Sequence, residues 1–269
     1  MKSIIALTTL FLKMLLKEKI TILFSIFTLI LLTVALVFNS TEIGEKNRFF
    51  LTLLITFESN LLMFFAMLQT YNLLTKEQNL GLFILPLSVG FSRKRYLIAI
   101  FLTIFIVVNL FFLIFFLINF LLLLAFNFEV IVNIKLFLEI NYQLFLYSIG
   151  SILGAFIFVT LRQFTSLTNA LIYSILLFIV GNGLDELNYF FEHYLLESEK
   201  TNLAYLGLYL VNLIIPNFYT FDLLGQILNQ SEISNFEFFR PLAIFIVETL
   251  VLFLIAQNRL KKKSLKTES

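Results

Sequence analysis

The sequence predicts an all-α polytopic membrane protein: six transmembrane helices, an N-terminal interfacial amphipathic helix, and a re-entrant or extracytoplasmic helical segment between the fifth and sixth spans. Three observations carry this. The 269 residues are 60% hydrophobic and 13% charged, against about 45–50% and about 25% in soluble domains, so no soluble core could enclose the apolar surface. Six apolar runs, 20–38, 50–74, 96–126, 142–161, 167–184 and 241–257, each lie near or above the ~20 residues that cross a ~30 Å hydrocarbon core, and a helix satisfies its own backbone there. With the N-terminus in the cytoplasm, Lys2, Lys13, Lys17, Lys19, Lys76, Arg93, Lys94, Arg95, Arg162, Arg259, Lys261, Lys262, Lys263 and Lys266 fall inside. Only Lys46, Arg48, Lys135, Lys200 and Arg240 fall outside. Basic residues near span ends orient a bundle, so this asymmetry predicts a single transmembrane domain over 1–269 with both termini cytoplasmic, in the bacterial inner membrane.

The first 19 residues precede the first span as a separate element. At about 100° per residue, Lys2, Thr9, Lys13 and Lys17 share a stripe opposite Ile4, Leu7, Phe11, Met14 and Leu15, the pattern of a helix lying in the cytoplasmic interface. A continuous extension of the first span is the alternative. Lysines interrupt any signal-peptide core, and no small-residue cleavage site follows. The stretch 75–95 between the second and third spans is the largest cytoplasmic loop, half apolar and half basic. Arg162 closes the fourth span and snorkels at a short turn. Between the fifth and sixth spans, 185–240 lies outside. It holds an apolar stretch, Leu203 to Ile215, that is shorter than the ~17 residues a crossing needs and is ended by Pro216.

The sequence offers little chemistry. There is no Cys, hence no disulfide and no thiolate site. No Walker A motif is present to cradle a nucleotide. His193 is the single histidine; with Glu192 and Glu197 beside it, a solvated His and Glu pair is the expected reading rather than a metal or proton site. The 35 Phe with no Trp could form a ligand-stacking surface, but they spread along every span, and bias from an AT-rich genome is the reading preferred. Glu58 and Glu248 sit within predicted spans. An intramembrane carboxylate is expensive, so each is expected to face the bundle interior, either lining a coupled site or path, or bonding polar partners such as Asn60, Gln69, Asn109, Asn119 or Gln143, or a dimer partner. Gly150 and Gly154 make a small-residue face suited to close helix packing, within the bundle or in a dimer.

The loop after the second span reads Lys-Glu-Gln-Asn-Leu-Gly, then Leu-Phe-Ile-Leu-Pro-Leu-Ser, then Ser-Arg-Lys-Arg-Tyr. Glu77, Gly81, Pro86, Ser88, Arg93 and Tyr96 thereby resemble the acid, Gly, Pro-small, Arg and Tyr pattern that follows the second span in the membrane subunits of type-2 ATP-binding-cassette exporters. Pro216-Asn217-Phe218 followed by Phe221-Asp222 is similar to an arrangement ahead of the last span in the same family. The resemblance implies a six-span permease without enzymatic activity or cofactor of its own. Its partners would be a cytoplasmic ATPase subunit that binds ATP and docks on the 75–95 loop, a second copy or related permease chain, and the lipid bilayer, with no nucleic acid. The alternative is a standalone secondary transporter or channel, against which stands the lack of inverted repeats and of paired intramembrane charges. A membrane-embedded enzyme would need clustered His, Asp or Glu at one depth.

Because the chain lacks Cys, single-cysteine variants report topology cleanly. Lys94→Cys and Ser264→Cys are expected to react with an impermeant maleimide only once the cytoplasmic face is opened. Lys135→Cys and Lys200→Cys should react in intact spheroplasts; the reverse pattern would overturn the orientation.

Overall fold

Ser92 shows how one helix is started. Its hydroxyl accepts the Arg95 N–H at 3.4 Å and its carbonyl accepts the Tyr96 N–H at 3.2 Å, satisfying donors that a helix N-terminus leaves orphaned. Ser166 repeats this with the N–H groups of Asn169, 3.3 Å, and Ala170, 2.9 Å. The computed structural model describes residues 2–19, 26, 46–79, 92–126, 134–190, 216, 218–223, 227 and 235–265. Among them the chain forms α1 (Lys2–Leu16), α2 (Lys46–Asn79), α3 (Arg93–Phe126), α4 (Ile134–Leu161), α5 (Leu167–Phe190), a 3-10 turn (Phe218–Phe221) and α6 (Asn235–Leu265). No strand occurs among the described residues.

Four helices carry stretches long and apolar enough to cross a membrane: Arg93–Leu121, Phe137–Leu161, Leu167–Leu184 and Phe236–Leu260. The expected span 50–74 lies within α2, whose side chains are described from Leu54 onward. The expected first span, 20–38, and the apolar stretch 203–215 lie outside the described residues, apart from residue 26.

The helices overrun the apolar runs. α2 continues through Lys76, Glu77 and Gln78, all good helix formers, so both ends of the expected 75–95 loop, 75–79 and 93–95, are helical. α4 starts eight residues earlier than the run 142–161, at Ile134, and α6 starts at Asn235 rather than Pro241. Pro241 therefore sits inside the helix, where it cannot donate to the Glu237 carbonyl. At the next carbonyl, Phe238, the Tyr142 hydroxyl donates from α4. Each of α2 and α3 has 34 residues, about 51 Å of helix at the standard rise. Hydropathy marks where side chains favour lipid; the backbone ladder runs on past that point.

α4 is the centre of the bundle. Every residue from 148 to 160 is buried, which a helix achieves only when neighbours cover all its faces. α2 packs on it most extensively, with α6, α5 and α3 also against it. Small residues set the approach. A methyl built on Gly154 would meet Met67 Cε of α2 at 3.0 Å, and one on Gly150 would meet the Phe221 ring at 3.4 Å. The small-residue face is thus filled from within this chain. Two apolar clusters result. One joins α1, α2, α3 and the later halves of α4 and α6, including Phe11, Phe65, Tyr96, Phe158 and Leu260. The other joins α4 to residues 218–227 through Ile140, Leu144, Ile149, Phe218 and Phe221.

Phenylalanine supplies much of the contact between helices. Phe65 and Phe111 pair α2 with α3, ring centroids 3.5 Å apart; Phe101 stacks on Phe156 of α4 at 4.2 Å and meets Phe253 of α6 edge-on at 5.8 Å. The edge-on Phe101–Phe253 pair has a geometry that aromatic quadrupoles prefer. Outward, α3, α5 and α6 present apolar stripes at helical spacing, such as Ile172, Leu176 and Ile179, or Ile246, Leu250 and Leu254. Continuous exposed apolar faces of this length are what lipid-facing helices carry.

α1 ends at Leu16, and the Glu18 N–H turns back to the Leu15 carbonyl at 3.1 Å. It packs chiefly on α3, burying Leu7, Phe11 and Leu15, while Thr9, Lys13 and Lys17 stay exposed. The apolar and basic faces fall where the sequence places them.

Gly181 of α5 is the tightest small-residue contact: a methyl there would overlap the Pro216 carbonyl oxygen and come within 2.6 Å of the Phe218 ring. Gly181→Ala is expected to cost about 1–3 kcal/mol through overpacking. Gly183→Ala, which enters open space, should be silent in the same detergent unfolding assay.

Candidate functional site

The positions singled out in the sequence occupy three places. At one end of the bundle, α2 brings Glu77 to the start of α3, where the buried Tyr96 hydroxyl lies against its carboxylate. The Tyr96 ring also meets Phe11 of α1 edge-on, centroids 5.9 Å apart. Arg93, the first residue of α3, reaches across to α6 and donates to the Leu260 carbonyl at 2.7 Å. Lys76 pairs with Glu18 just beyond α1. Arg162 donates to the Gln78 side chain at 3.2 Å and to the Thr165 carbonyl at 3.1 Å, and Arg259 of α6 lies 5.1 Å over the Phe164 ring, a cation–π contact.

The ends of α1, α2, α3 and α6 and the turn between α4 and α5 are thereby cross-linked by polar contacts. Glu77, Arg93 and Tyr96 sit at the two roots of the 80–91 stretch and face inward. Lys94 and Arg95 are the exposed basic residues beside them. Gly81, Pro86 and Ser88 lie outside the described residues. The Arg93 contact could not be foreseen, because its acceptor is a main-chain carbonyl 167 residues away and any residue type provides one.

The two acids expected within spans differ. Glu58 of α2 is 1% exposed and accepts a hydrogen bond from Asn119 Nδ2 of α3 at 3.2 Å, so it ties two helices together as buried polar groups in bundles do. Asn119 is one of the partners anticipated from the sequence. Glu248 of α6 is half-buried, and its Oε2 is enclosed without a hydrogen-bond partner among the described residues.

The third place is the segment carrying Pro216, Phe218 and Asp222; Asn217 and His193 lie outside the described residues. Phe218 and Phe221 are buried, and Gln143 of α4 clamps the backbone beside them. Its Nε2 donates to the Phe221 carbonyl at 3.1 Å and to Asp222 Oδ1 at 3.3 Å, and its Oε1 accepts the Leu223 N–H at 2.8 Å. The Tyr147 hydroxyl lies against Asp222. One fully buried amide thus satisfies three groups of an irregular segment that would otherwise be costly to bury. Gln143 stood out as a polar residue in an apolar run. Tyr147 did not, since tyrosine is unremarkable near a span end.

Among the described residues no group of three or more His, Cys, Asp or Glu could hold a metal ion. No protein-family model, curated protein or solved structure matches the chain. The fold therefore defines the class by itself: an all-helical protein whose long apolar helices are those of a membrane protein.

Asn119→Leu leaves the Glu58 carboxyl buried without its donor and is expected to cost about 1–3 kcal/mol. Glu58→Leu combined with Asn119→Leu should recover most of that, because replacing both partners removes the orphaned group. A double-mutant cycle on unfolding in detergent measures the coupling. Strict additivity would show that the pair does not bind α2 to α3.

Proposed function

We propose that the chain is the permease subunit of an ATP-binding-cassette exporter. It would be a six-span protein of the bacterial inner membrane with both termini in the cytoplasm, driven by a separate ATPase that binds the ATP. Two bundles, from two copies or from this chain and a related one, would form the path. The observation that carries the reading is the cross-linked cytoplasmic end. The 80–91 stretch, which holds half of the resembling motif residues, is rooted in Glu77 and Tyr96. Arg93 connects that root to α6, and the Phe11–Tyr96 and Glu18–Lys76 contacts connect it to α1.

A force on this stretch would reach α1, α3 and α6 together. Such coupling transmits work only where the bundle has two packing arrangements that the ATPase binds with different affinity. The segment 216–223 supports the same reading: it folds back onto the middle of α4 at Gly150, about 17 Å along the helix from Leu161, the placement of a re-entrant element ahead of the last span.

The test is to tag the C-terminus, extract native membranes in mild detergent, and identify stoichiometric partners by mass spectrometry. A soluble P-loop ATPase is expected. The double variant Lys94→Glu and Arg95→Glu should lose it while the bundle keeps its unfolding temperature. Arg93→Glu and Glu77→Lys should both lower that temperature and weaken the partner, because each also breaks an internal contact. Purification of the chain without any nucleotide-binding partner would overturn the permease reading and favour an ion-coupled transporter.

A further inference from the structure

α1 has a second face that its packing on α3 does not use. Leu7, Phe11 and Leu15 are buried in the bundle, while Lys13, Lys17 and, just past the helix, Lys19 stand exposed. Lys13 and Lys17 lie about 40° apart around the helix at the standard period. Exposed apolar residues bound them on both sides: Ile5 and Leu16, 55% and 46% exposed, on one edge, and Leu10, 45% exposed, on the other. A lysine stripe between two apolar edges matches the boundary between lipid chains and headgroups. There the lysine stems lie on apolar surface and the ammonium groups reach the polar side.

Two contacts set the level of this face. Phe11 meets Tyr96 in the first turn of the stretch of α3 that is long and apolar enough to cross a membrane, and Glu18 pairs with Lys76 near the end of α2. The later half of α1 is thereby held beside the end of a crossing stretch rather than beside its middle. The described acids of this end are both engaged, Glu18 by Lys76 and Glu77 by the Tyr96 hydroxyl. Lys13, Lys17 and Lys19 form no ion pair among the described residues. The face thus presents positive charge that the described chain does not balance.

We infer that this face of α1 binds anionic phospholipid in the leaflet at this end, with the lysines on headgroup phosphates and the apolar edges among the nearest chain segments. The phosphodiester carries the charge complementary to the lysines. A zwitterionic headgroup has the same phosphate, but its own ammonium cancels that charge, so the face selects lipids with a net negative head. An acidic protein surface would match the lysines alone; the apolar edges and the level beside the end of α3 match lipid as well. Through Phe11 and Glu18 the bound lipid holds α1 against α3 and α2. The site rests on the chain being a membrane protein and not on the exporter reading.

The chain has no Trp, so Leu10→Trp and Leu16→Trp, made separately, each place a lone fluorophore on one edge of the face. The full chain is reconstituted in vesicles of equal parts dioleoylphosphatidylglycerol and dioleoylphosphatidylcholine, with bromine on the chains of one lipid or of the other. Quenching at one edge or both is expected to report a several-fold preference for phosphatidylglycerol. Phe105→Trp, on the exposed face of α3 and about 18 Å along it from Arg93, should be quenched equally by the two lipids. Lys13→Gln, Lys17→Gln and Lys19→Gln together should remove the preference while the Phe105→Trp reporter is quenched as before; Lys13→Arg, Lys17→Arg and Lys19→Arg together should keep it. Molar salt, which shortens the Debye length to about 3 Å, should weaken it, and inorganic phosphate should do no more than chloride at matched ionic strength. Equal quenching by both lipids at both edges, a preference that survives the Gln variant or molar salt, or the same preference at the Phe105→Trp reporter would overturn the site. Relief by inorganic phosphate beyond that by chloride would overturn it in favour of a free-anion pocket, and no quenching by either lipid in favour of a protein partner. None of these outcomes bears on whether an ATPase co-purifies, so the two readings fail separately.

Discussion

The enclosure of α4 is the constraint on which the rest of the bundle depends. A helix buried on every face from 148 to 160 must be approached closely by several neighbours at once, and that is possible only where its side chains are small. Gly154 admits Met67 and Gly150 admits Phe221, so α2 docks on one part of α4 and the 218–223 segment on another. A methyl at Gly154 would press on the flexible end of Met67, and one at Gly150 would make ordinary contact with the Phe221 ring. Because α2 is enclosed in this way, it can carry Glu58, Gln69 and Thr70 in its buried face: a polar group surrounded by protein can find a partner, as Glu58 does in Asn119, whereas one facing lipid cannot.

The polar contacts concentrate at two levels. At one end, long basic side chains reach between helices to carbonyls, carboxylates and a ring face, joining five elements without burying a charge in the apolar interior. Nearer the other end, Gln143 and Tyr147 hold a non-helical segment against α4. Irregular backbone within a bundle is tolerated where side chains satisfy its carbonyls and N–H groups, and Gln143 does this at the Phe221 carbonyl and the Leu223 N–H. The apolar middle is held mainly by aromatic and aliphatic packing. Glu248 breaks this division, with an enclosed oxygen that has no hydrogen-bond partner among the described residues.

Much of the fold was legible in the sequence because lipid is a simple solvent. A run that is apolar on all sides can only be a helix, so the four long apolar helices lie where hydropathy places them, and the basic and apolar faces of α1 follow from periodicity. Helix ends were less legible. The polar turns that extend α2 to Asn79 and start α4 at Ile134 are invisible to a measure of lipid preference. Of the site, Glu58 and Glu248 could be named because a carboxylate among apolar residues is conspicuous, and Asn119 and Gln143 because amides there are nearly as rare. Their roles were not legible: which amide meets which acid depends on how α2, α3 and α4 cross.

Composition, charge order and helical period by themselves determined that this is an all-helical chain with membrane-crossing elements, and which face of α1 is apolar. These follow from local chemistry and the backbone's need for hydrogen bonds. Tertiary structure decided that α4 is central, that Gly150 and Gly154 receive partners from the same chain, that Arg93 donates its guanidinium to the Leu260 carbonyl, and that Glu58 has a donor while Glu248 Oε2 has none among the described residues. Each of these depends on distances between residues far apart in the chain. Such distances are set by the joint packing of several helices, and no local pattern of residues encodes them.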